Sequence, residues 1–335
     1  MSKSKSIGVA IVGCGLIGQK RAKSLGPAHV AVCADIVLER AQILAKNLPG
    51  TDATADWRAV LQREDVEMVC VATSNNMLAE VTLAAVRAGK HVLVEKPGAR
   101  TVDEFDEIIE AARSTNVQVR VGFNHRYHPA LRKAREIVDT GALGELMFLR
   151  GRYGHGGRVG YEKEWRANPA LSGGGELIDQ GVHLIDLARW FLGDFSDLTG
   201  FAHTYFWNMP VDDNAFLLLK TQKQQVAFLH VSCTEWKNMF SLELYGHTGK
   251  LLIEGLGGSY GVEQLTWYKM LPKMGPPETT SWEYPMDDDS WAVEMAELYE
   301  DIRLDRNPSA NLFDAYAALD IIEKVYRESG YDHST

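Results

Sequence analysis

A glycine-rich turn between a predicted strand and a predicted helix limits what this chain can fold into more than any other feature. The apolar run 7–12 leads directly into Gly13-Cys14-Gly15-Leu16-Ile17-Gly18, where a helix begins. In this context Gly13 permits a tight turn, Gly15 lets an anion approach the backbone, and Gly18 lets helix and strand pack closely. The motif predicts that the pyrophosphate of a dinucleotide binds at the helix N-terminus.

An acidic residue stands where such a site needs one. Asp35 ends the next predicted strand, 29–35, about twenty residues after the motif, and a carboxylate there accepts hydrogen bonds from ribose hydroxyls. It would repel a 2′-phosphate, so Asp35 favours NAD over NADP, although Arg40 is close enough in sequence to weaken that preference. We also expect cofactor contacts from Thr73-Ser74-Asn75, which follows another predicted strand; a helix N-cap is the alternative for the last two residues.

Short apolar runs alternate with amphipathic stretches through the first third of the chain. This alternation predicts a doubly wound parallel sheet, a Rossmann fold, in a dinucleotide-binding domain over residues 1–125. The predicted strands are 7–12, 29–35, 66–72, 91–94 and 117–122, and the predicted helices are 16–25, 38–48, 77–88 and 103–114.

The remainder, 126–335, has longer alternating segments that predict an α+β domain with a large, open, mostly antiparallel sheet. The predicted strands are 145–153, 198–206, 215–220, 225–234, 240–245 and 250–254, and the predicted helices are 176–192, 290–304 and 312–328. The last two helices could pack on the first domain instead of the second. Alternation over 198–205 places one sheet face against something apolar, so we expect a homodimer or homotetramer through this sheet.

Composition excludes several classes of protein. With 335 residues, 45% hydrophobic and 24% charged, the chain is globular, and its net charge of −10 argues against a general nucleic-acid or anionic-membrane binder. The four cysteines are widely spaced, which indicates neither a disulfide framework nor a zinc site. There is no signal-peptide pattern and no apolar run long enough to cross a bilayer, so we expect a cytoplasmic protein without a metal site.

Three separated motifs resemble one protein family. Glu95-Lys96-Pro97 follows a predicted strand, and Gly173-Gly174-Gly175-Glu176-Leu177-Ile178-Asp179-Gln180-Gly181-Val182-His183 follows in the second half, in the expected order after the early glycine motif. Together they resemble the glucose-fructose oxidoreductase, inositol dehydrogenase and MocA family over nearly the whole chain. The resemblance implies nicotinamide-dependent oxidation or reduction of a secondary alcohol on a sugar, cyclitol or related compound.

The resemblance also implies site residues. The catalytic set is Lys96, Asp179 and His183, which we also expect to contact substrate. Further cofactor contacts are expected from Glu95, Lys96, Asn124, Trp165 and Arg166. Arg126 and Tyr127 are expected either to contact substrate or to have structural roles. For Trp165 and Arg166, the alternative to cofactor binding is that the tryptophan is structural and the arginine lies at the surface.

The predicted chemistry needs a base, because an alcohol that loses hydride to nicotinamide must also lose its hydroxyl proton. Histidine has an ordinary pKa near 6.5, so neutral His183 can accept that proton, while Lys96 stabilises alkoxide character. The two roles can also be exchanged. Asp179 and His183 are four residues apart, which on a regular helix places them on one face about 5.4 Å apart along the axis. A solvated polar stripe with a structural histidine is the alternative.

A basic segment refines the substrate. Residues 120–166 contain ten lysines and arginines against five aspartates and glutamates, an excess of five positive charges in an acidic chain. Substrate contacts from Tyr153, His155 and Arg158, with Arg152 and Arg166, would suit an acidic or nucleotide-linked sugar; a solvated basic face is the alternative. Two other functions stay open: a glycosidase that retains NAD, and a non-catalytic nucleotide sensor.

Overall fold

The computed structural model describes residues 6–273 and 275–331, and these residues form two compact units. The first unit contains residues up to 123 together with 291–316, and the second contains 124–290 together with the residues from 317 onward. Within the described ranges, no helix combines the length and the apolar character needed to cross a membrane.

The first unit contains a parallel sheet whose described strands run in the order β3-β2-β1-β4-β5-β6. This is the strand order of the dinucleotide-binding fold, so the predicted doubly wound sheet is confirmed. The central strands are buried on both faces, which explains their continuous apolar sequences. The strands are β1 (Gly8–Val12), β2 (His29–Ala34), β3 (Asp52–Thr54), β4 (Met68–Val71), β5 (His91–Val94) and β6 (Val119–Val121).

Helices follow the strands of this unit. They are α1 (Leu16–Lys23), α2 (Leu38–Lys46), α3 (Trp57–Val60), α4 (Asn75–Arg87) and α5 (Asp103–Ser114). Four of them lie near the predicted positions, and the short helix α3 was not predicted. The hydrophobic core between α1, α2 and the sheet includes Ile11, Cys33 and Leu93, and residues Met295 and Leu298 of a later helix pack into the same core.

The second unit contains an open sheet with the described order β14-β13-β12-β11-β7-β10-β9-β8. Among its described pairings only β7 with β10 is parallel, which confirms the mostly antiparallel prediction. The strands are β7 (Leu146–Gly154), β8 (Phe195–His203), β9 (Asn214–Thr221), β10 (Val226–Ser232), β11 (Met239–Gly246), β12 (Gly249–Glu254), β13 (Glu263–Lys269) and β14 (Glu278–Tyr284). The helices from here to the end of the described chain are α6 (Pro129–Asp139), α7 (Pro169–Ser172), α8 (Val182–Leu192), α9 (Ser290–Leu304) and α10 (Leu312–Ser329).

Two sequence predictions in this unit were wrong in detail. The strand predicted over 198–206 ends at His203, because the buried Asp213 carboxylate accepts the backbone amides that follow and turns the chain out of the sheet. The helix predicted over 176–192 begins as a wide π turn, Leu177–Gly181, and becomes a regular α-helix only at Val182. The one-turn spacing predicted for Asp179 and His183 therefore does not apply.

Candidate functional site

The glycine turn after β1 has the geometry that a bound pyrophosphate requires. Gly13 has φ 94°, and its amide donates to the carbonyl of Ala34 at 2.8 Å. A Cβ atom on Gly18 would lie 1.9 Å from the carbonyl oxygen of Gly13, whereas a Cβ on Gly15 would meet no described atom within 4 Å. Two glycines therefore allow close packing, and the third leaves an open approach to the start of α1, which fits a dinucleotide.

Asp35 is held directly beside this turn. Its carboxylate accepts the amide of Cys14 at 2.8 Å and the amide of Val37 at 2.9 Å, one on each oxygen. Each oxygen keeps a further lone pair, which is what two ribose hydroxyls would need. The neighbouring Ile36 side chain is 92% exposed and offers no positive charge to a 2′-phosphate, while Arg40 is exposed on α2.

The polar residues after β4 begin α4. The hydroxyl of Ser74 donates to the Asn76 side chain at 2.7 Å, and that of Thr73 donates to the carbonyl of Ser74 at 3.2 Å. Asn75 is buried. Ser74 therefore occupies the N-cap position without its side chain bonding a described amide of the helix, and cofactor contacts by these residues stay a prediction.

Glu95, at the end of β5, is held by a buried ion-pair network. Arg21 of α1 has no solvent exposure, and its guanidinium lies 2.6 Å from Glu95 Oε1 and 2.5 Å from Glu294 Oε2 on α9. Burial acts to lower the pKa of Arg21, but the two carboxylates outweigh it and raise that pKa above its ordinary value. The network fixes the residue before Lys96 to the helix that carries the glycine turn; the Lys96–Pro97 peptide bond is cis.

In the second unit, His183 forms a stacked pair that the sequence analysis did not predict. The rings of His183, on α8, and His125, in the short turn Asn124–Tyr127, lie 3.8 Å apart between centroids at 19°. Both side chains are buried, and Tyr153 meets His125 edge-on at 5.2 Å. His125 lies next to Asn124 in a stretch already singled out, but its partner is 58 residues away in sequence, so no local pattern indicated the pair.

Asp179 lies in the π turn and is paired with a residue predicted to contact the cofactor. Its carboxylate accepts from Arg166 Nε at 3.1 Å, and the Arg166 guanidinium stacks over the Trp165 ring at 4.7 Å. Nearby, His155 Nε2 lies 3.5 Å from the fully buried carboxylate of Glu176. Burial acts to lower the pKa of His155, and the contact with Glu176 outweighs it, so this pKa is raised. The structure thus groups acid–base side chains at the start of this helix.

The basic segment is largely neutralised by carboxylates. Arg126 binds the buried Asp186 through Nε at 2.8 Å and Nη2 at 2.5 Å, which supports its structural alternative. Other predicted substrate-binding cations are also paired: Arg158 lies 2.6 Å from Glu164, and Arg152 lies 3.5 Å from Glu235. Of the remaining predicted residues, Asn124 donates to Ser290 at 2.9 Å, and Tyr127, Tyr153 and Asn124 are buried.

Asp212 is a structural residue of this site that the sequence analysis missed. Its two carboxylate oxygens accept the amides of Gly175 at 2.9 Å and Leu177 at 2.8 Å, and the Tyr326 hydroxyl donates to it at 2.7 Å. A Cβ on Gly175 would lie 1.9 Å from the Asp212 carbonyl oxygen, so this glycine is required for the close approach. The clamp shapes the chain immediately before Asp179 and His183.

Comparison with known proteins gives matches along most of the chain. Residues 7–123 match the model of an oxidoreductase family with an NAD-binding Rossmann fold, and residues 131–252 match the GFO/IDH/MocA C-terminal domain. A levoglucosan dehydrogenase of Pseudarthrobacter phenanthrenivorans is 33% identical over 54% of this chain and 47% of its own length. A D-glucoside 3-dehydrogenase of Escherichia coli is 34% identical over 57% of this chain and 55% of its own length.

These alignments span about half the length of the curated relatives. The fold likeness extends further: a solved levoglucosan dehydrogenase in complex with NADH has a TM-score of 0.88 at 23% identity, covering 97% of this chain and 98% of that one. With the two family models matching consecutive parts of the sequence, the chain belongs to the GFO/IDH/MocA family of oxidoreductases, and its first domain is an NAD-binding Rossmann fold.

Proposed function

We propose that this protein is an NAD-dependent dehydrogenase that interconverts a secondary alcohol and a ketone on a neutral sugar or cyclitol. The observation that carries the proposal is the buried His183 ring, stacked on His125 in the same unit that pairs Asp179 with Arg166. The stack holds the His183 imidazole in one orientation, and an imidazole is the side chain best suited to exchange a hydroxyl proton near neutral pH. NAD would supply the hydride acceptor.

Each residue has a defined task in this proposal. His183 takes the hydroxyl proton and returns it in the reverse reaction, and Asp179 orients the substrate hydroxyl or the imidazole. Lys96 stabilises negative charge on the substrate oxygen. The alternative exchanges Lys96 and His183, and the pH dependence of kcat/KM in the single variants distinguishes the two: the variant of the true base loses the limb that reports its ionisation.

Charge pairing favours a neutral substrate over an acidic or nucleotide-linked one. Arg152, Arg158 and Arg166 each have a carboxylate partner, so their charge is compensated before any ligand binds. An anionic sugar would have to displace one of these carboxylates. Two relatives, a levoglucosan dehydrogenase and a D-glucoside 3-dehydrogenase, are named for neutral substrates and support the same choice.

Asp35 supports NAD rather than NADP as the preferred cofactor. Both of its oxygens are oriented by backbone amides beside the glycine turn, and a 2′-phosphate would meet this carboxylate. We expect Asp35→Ser to weaken NAD binding about tenfold or more and to reduce the discrimination against NADP, as measured by fluorescence titration of NADH and NADPH.

A cofactor-coupled substrate panel tests the proposed activity. Neutral aldoses, anhydrosugars, glucosides and cyclitols are compared with uronates and nucleotide sugars by NADH absorbance. We expect turnover of a neutral compound and a loss of about 10² to 10⁴ in rate for His183→Asn, with His247→Asn, an exposed histidine, as the matched control. If Lys96→Met and His183→Asn act in one step, the double variant is no slower than the worse single variant.

Two results would replace the proposal. Release of the chromophore from an aryl glycoside with retained NAD and no net NADH would identify a glycosidase. Binding of NAD without turnover of any member of the panel would identify a nucleotide sensor.

We also propose that the protein is a homodimer or homotetramer through the open sheet. The strand register pairs Leu218 of β9 with Phe228 of β10 and places Phe201 of β8, which pairs with Phe216, on the same face of the sheet. Phe201, Leu218 and Phe228 are 64%, 51% and 45% exposed, so this face carries exposed apolar side chains. Analytical ultracentrifugation of Leu218→Arg should give monomer where the unmodified protein gives the oligomer; a monomeric unmodified protein would contradict this assembly.

A further inference from the structure

Exposed aromatic side chains gather on loops of the second unit, beyond the residues used so far. We define the aromatic platform as Tyr161, Tyr205, Phe206, Trp207 and Trp236. Tyr205, Phe206 and Trp236 are 66%, 58% and 64% exposed, whereas Tyr161 is buried and Trp207 half-buried. A group of exposed aromatic side chains on loops is typical of an interaction site.

The platform is continuous with the candidate substrate site through a chain of ring contacts. His155, which faces Glu176, meets Tyr161 at 5.5 Å between ring centroids, and Tyr161 meets Trp207 at 5.6 Å. From Trp207 the chain passes to Phe206 at 5.1 Å and on to Trp236 at 4.8 Å. The exposed rings therefore form the outer end of an aromatic path that begins among the acid–base residues.

The exposed rings are held in place by the backbone. The fully buried Asp213 carboxylate accepts the amides of Tyr205 at 2.9 Å, Phe206 at 2.7 Å and Trp207 at 3.0 Å. The Trp207 indole donates to the carbonyl of Cys233 at 3.0 Å. These bonds fix the backbone of the loop and the Trp207 ring before any ligand binds, which lowers the entropy lost on binding.

The backbone around Trp236, in the loop between β10 and β11, is also constrained. It has φ 58°, a left-handed conformation that is unfavourable for a bulky side chain and is typical of ligand clamps. Gly156 allows its backbone to approach closely, since a Cβ there would lie 3.0 Å from Trp236. Gly157 does the same for the Trp207 ring, which a Cβ would meet at 2.3 Å.

From this arrangement we propose that the platform binds a second sugar ring, so that the substrate is a glycoside of at least two rings; the inference rests on the proposed function. The C–H groups on a pyranose face carry partial positive charge and suit the negative faces of aromatic rings. Sugar hydroxyls need polar neighbours, and Arg158 and Glu235 flank the platform in sequence beside Gly157 and Trp236. Both are already ion-paired, so the rim favours a neutral ligand.

A titration that needs no turnover tests this inference. Saturation-transfer NMR and calorimetry compare one-ring probes, the methyl α- and β-D-glucopyranosides, with the two-ring probes maltose and cellobiose, on the full chain. We expect a two-ring probe to bind about tenfold tighter than its one-ring counterpart. Trp236→Ala and Phe206→Ala should each remove most of this advantage and leave one-ring affinity unchanged. Phe313→Ala, which truncates a similarly exposed aromatic of the first unit, should preserve it.

The outcomes separate this inference from the proposed activity. Equal affinity for one-ring and two-ring probes, or an advantage that survives both platform variants, would overturn the subsite. So would a change of oligomeric state in Trp236→Ala, because the platform would then bind a second copy of the chain. If the two-ring probes bind more tightly but no compound is turned over, the proposed dehydrogenase activity is refuted and the subsite is not.

Discussion

Asp212→Asn is the sharpest test of the clamp that shapes the chain before Asp179 and His183. The carboxylate accepts two backbone amides and one hydroxyl on its two oxygens, all within 2.9 Å. An asparagine keeps one oxygen acceptor, and its NH₂ group replaces the other oxygen, so that this NH₂ faces one of these hydrogen-bond donors. One buried donor therefore loses its acceptor, which costs about 1–3 kcal/mol.

The same substitution removes a pH-dependent contribution whose sign follows from the structure. Burial raises the pKa of Asp212 from its usual 3.8 to about 6, despite the hydrogen bonds that stabilise the carboxylate. The folded protein thus holds a proton that the unfolded chain has released between about pH 4 and about pH 6. Asp212 consequently makes the free energy of unfolding fall as pH rises through this interval, by about 3 kcal/mol in all.

Urea unfolding followed by circular dichroism, between about pH 4.5 and about pH 7.5, measures this effect. We expect the free energy of unfolding of Asp212→Asn, relative to the unmodified protein, to rise by about 2 kcal/mol across that range, because the variant lacks the titrating group. Asp287→Asn, at an exposed position, should follow the unmodified protein. Parallel curves for Asp212→Asn and the unmodified protein would refute the reasoning.

Two further predictions concern the first unit. Gly18→Ala should destabilise the fold, because its Cβ would lie 1.9 Å from a backbone oxygen, while Gly15→Ala should leave thermal unfolding unchanged and weaken NAD binding; equal effects of the two on unfolding would contradict this. Arg21→Met leaves two buried carboxylates without their cation and should cost about 3–5 kcal/mol in urea unfolding. Arg63→Met, at a partly exposed pair of ion bridges, should cost about 0–1 kcal/mol, and a similar loss in both variants would contradict the network's importance.

Patterns that repeat over a few residues predicted most elements well. The helices 103–114 and 290–304 were predicted at the bounds observed, because apolar residues at helical spacing show which face is buried. Strands β3, β13 and β14 were missed. Strand β3 has only three residues, and β13 and the edge strand β14 contain many polar residues, so their alternation is weak.

The site was predicted less completely, because its contacts join distant segments. The stack of His125 on His183 spans 58 residues, and the clamp from Asp212 to Gly175 spans 37. The basic segment illustrates the same limit. The net charge of residues 120–166 cannot show that Arg152 is paired with Glu235 or that Arg126 is paired with Asp186.

The sequence by itself determined the glycine turn, the acidic residue after β2 and the division into parallel and mostly antiparallel sheets. These depend on local backbone freedom and on the alternation of apolar residues, both of which are written in neighbouring positions. Only the tertiary structure decided which charges are neutralised, which rings stack and which loops are held rigid. Such contacts depend on strand register and on residues far apart in the chain, so their energies exist only once the chain has folded.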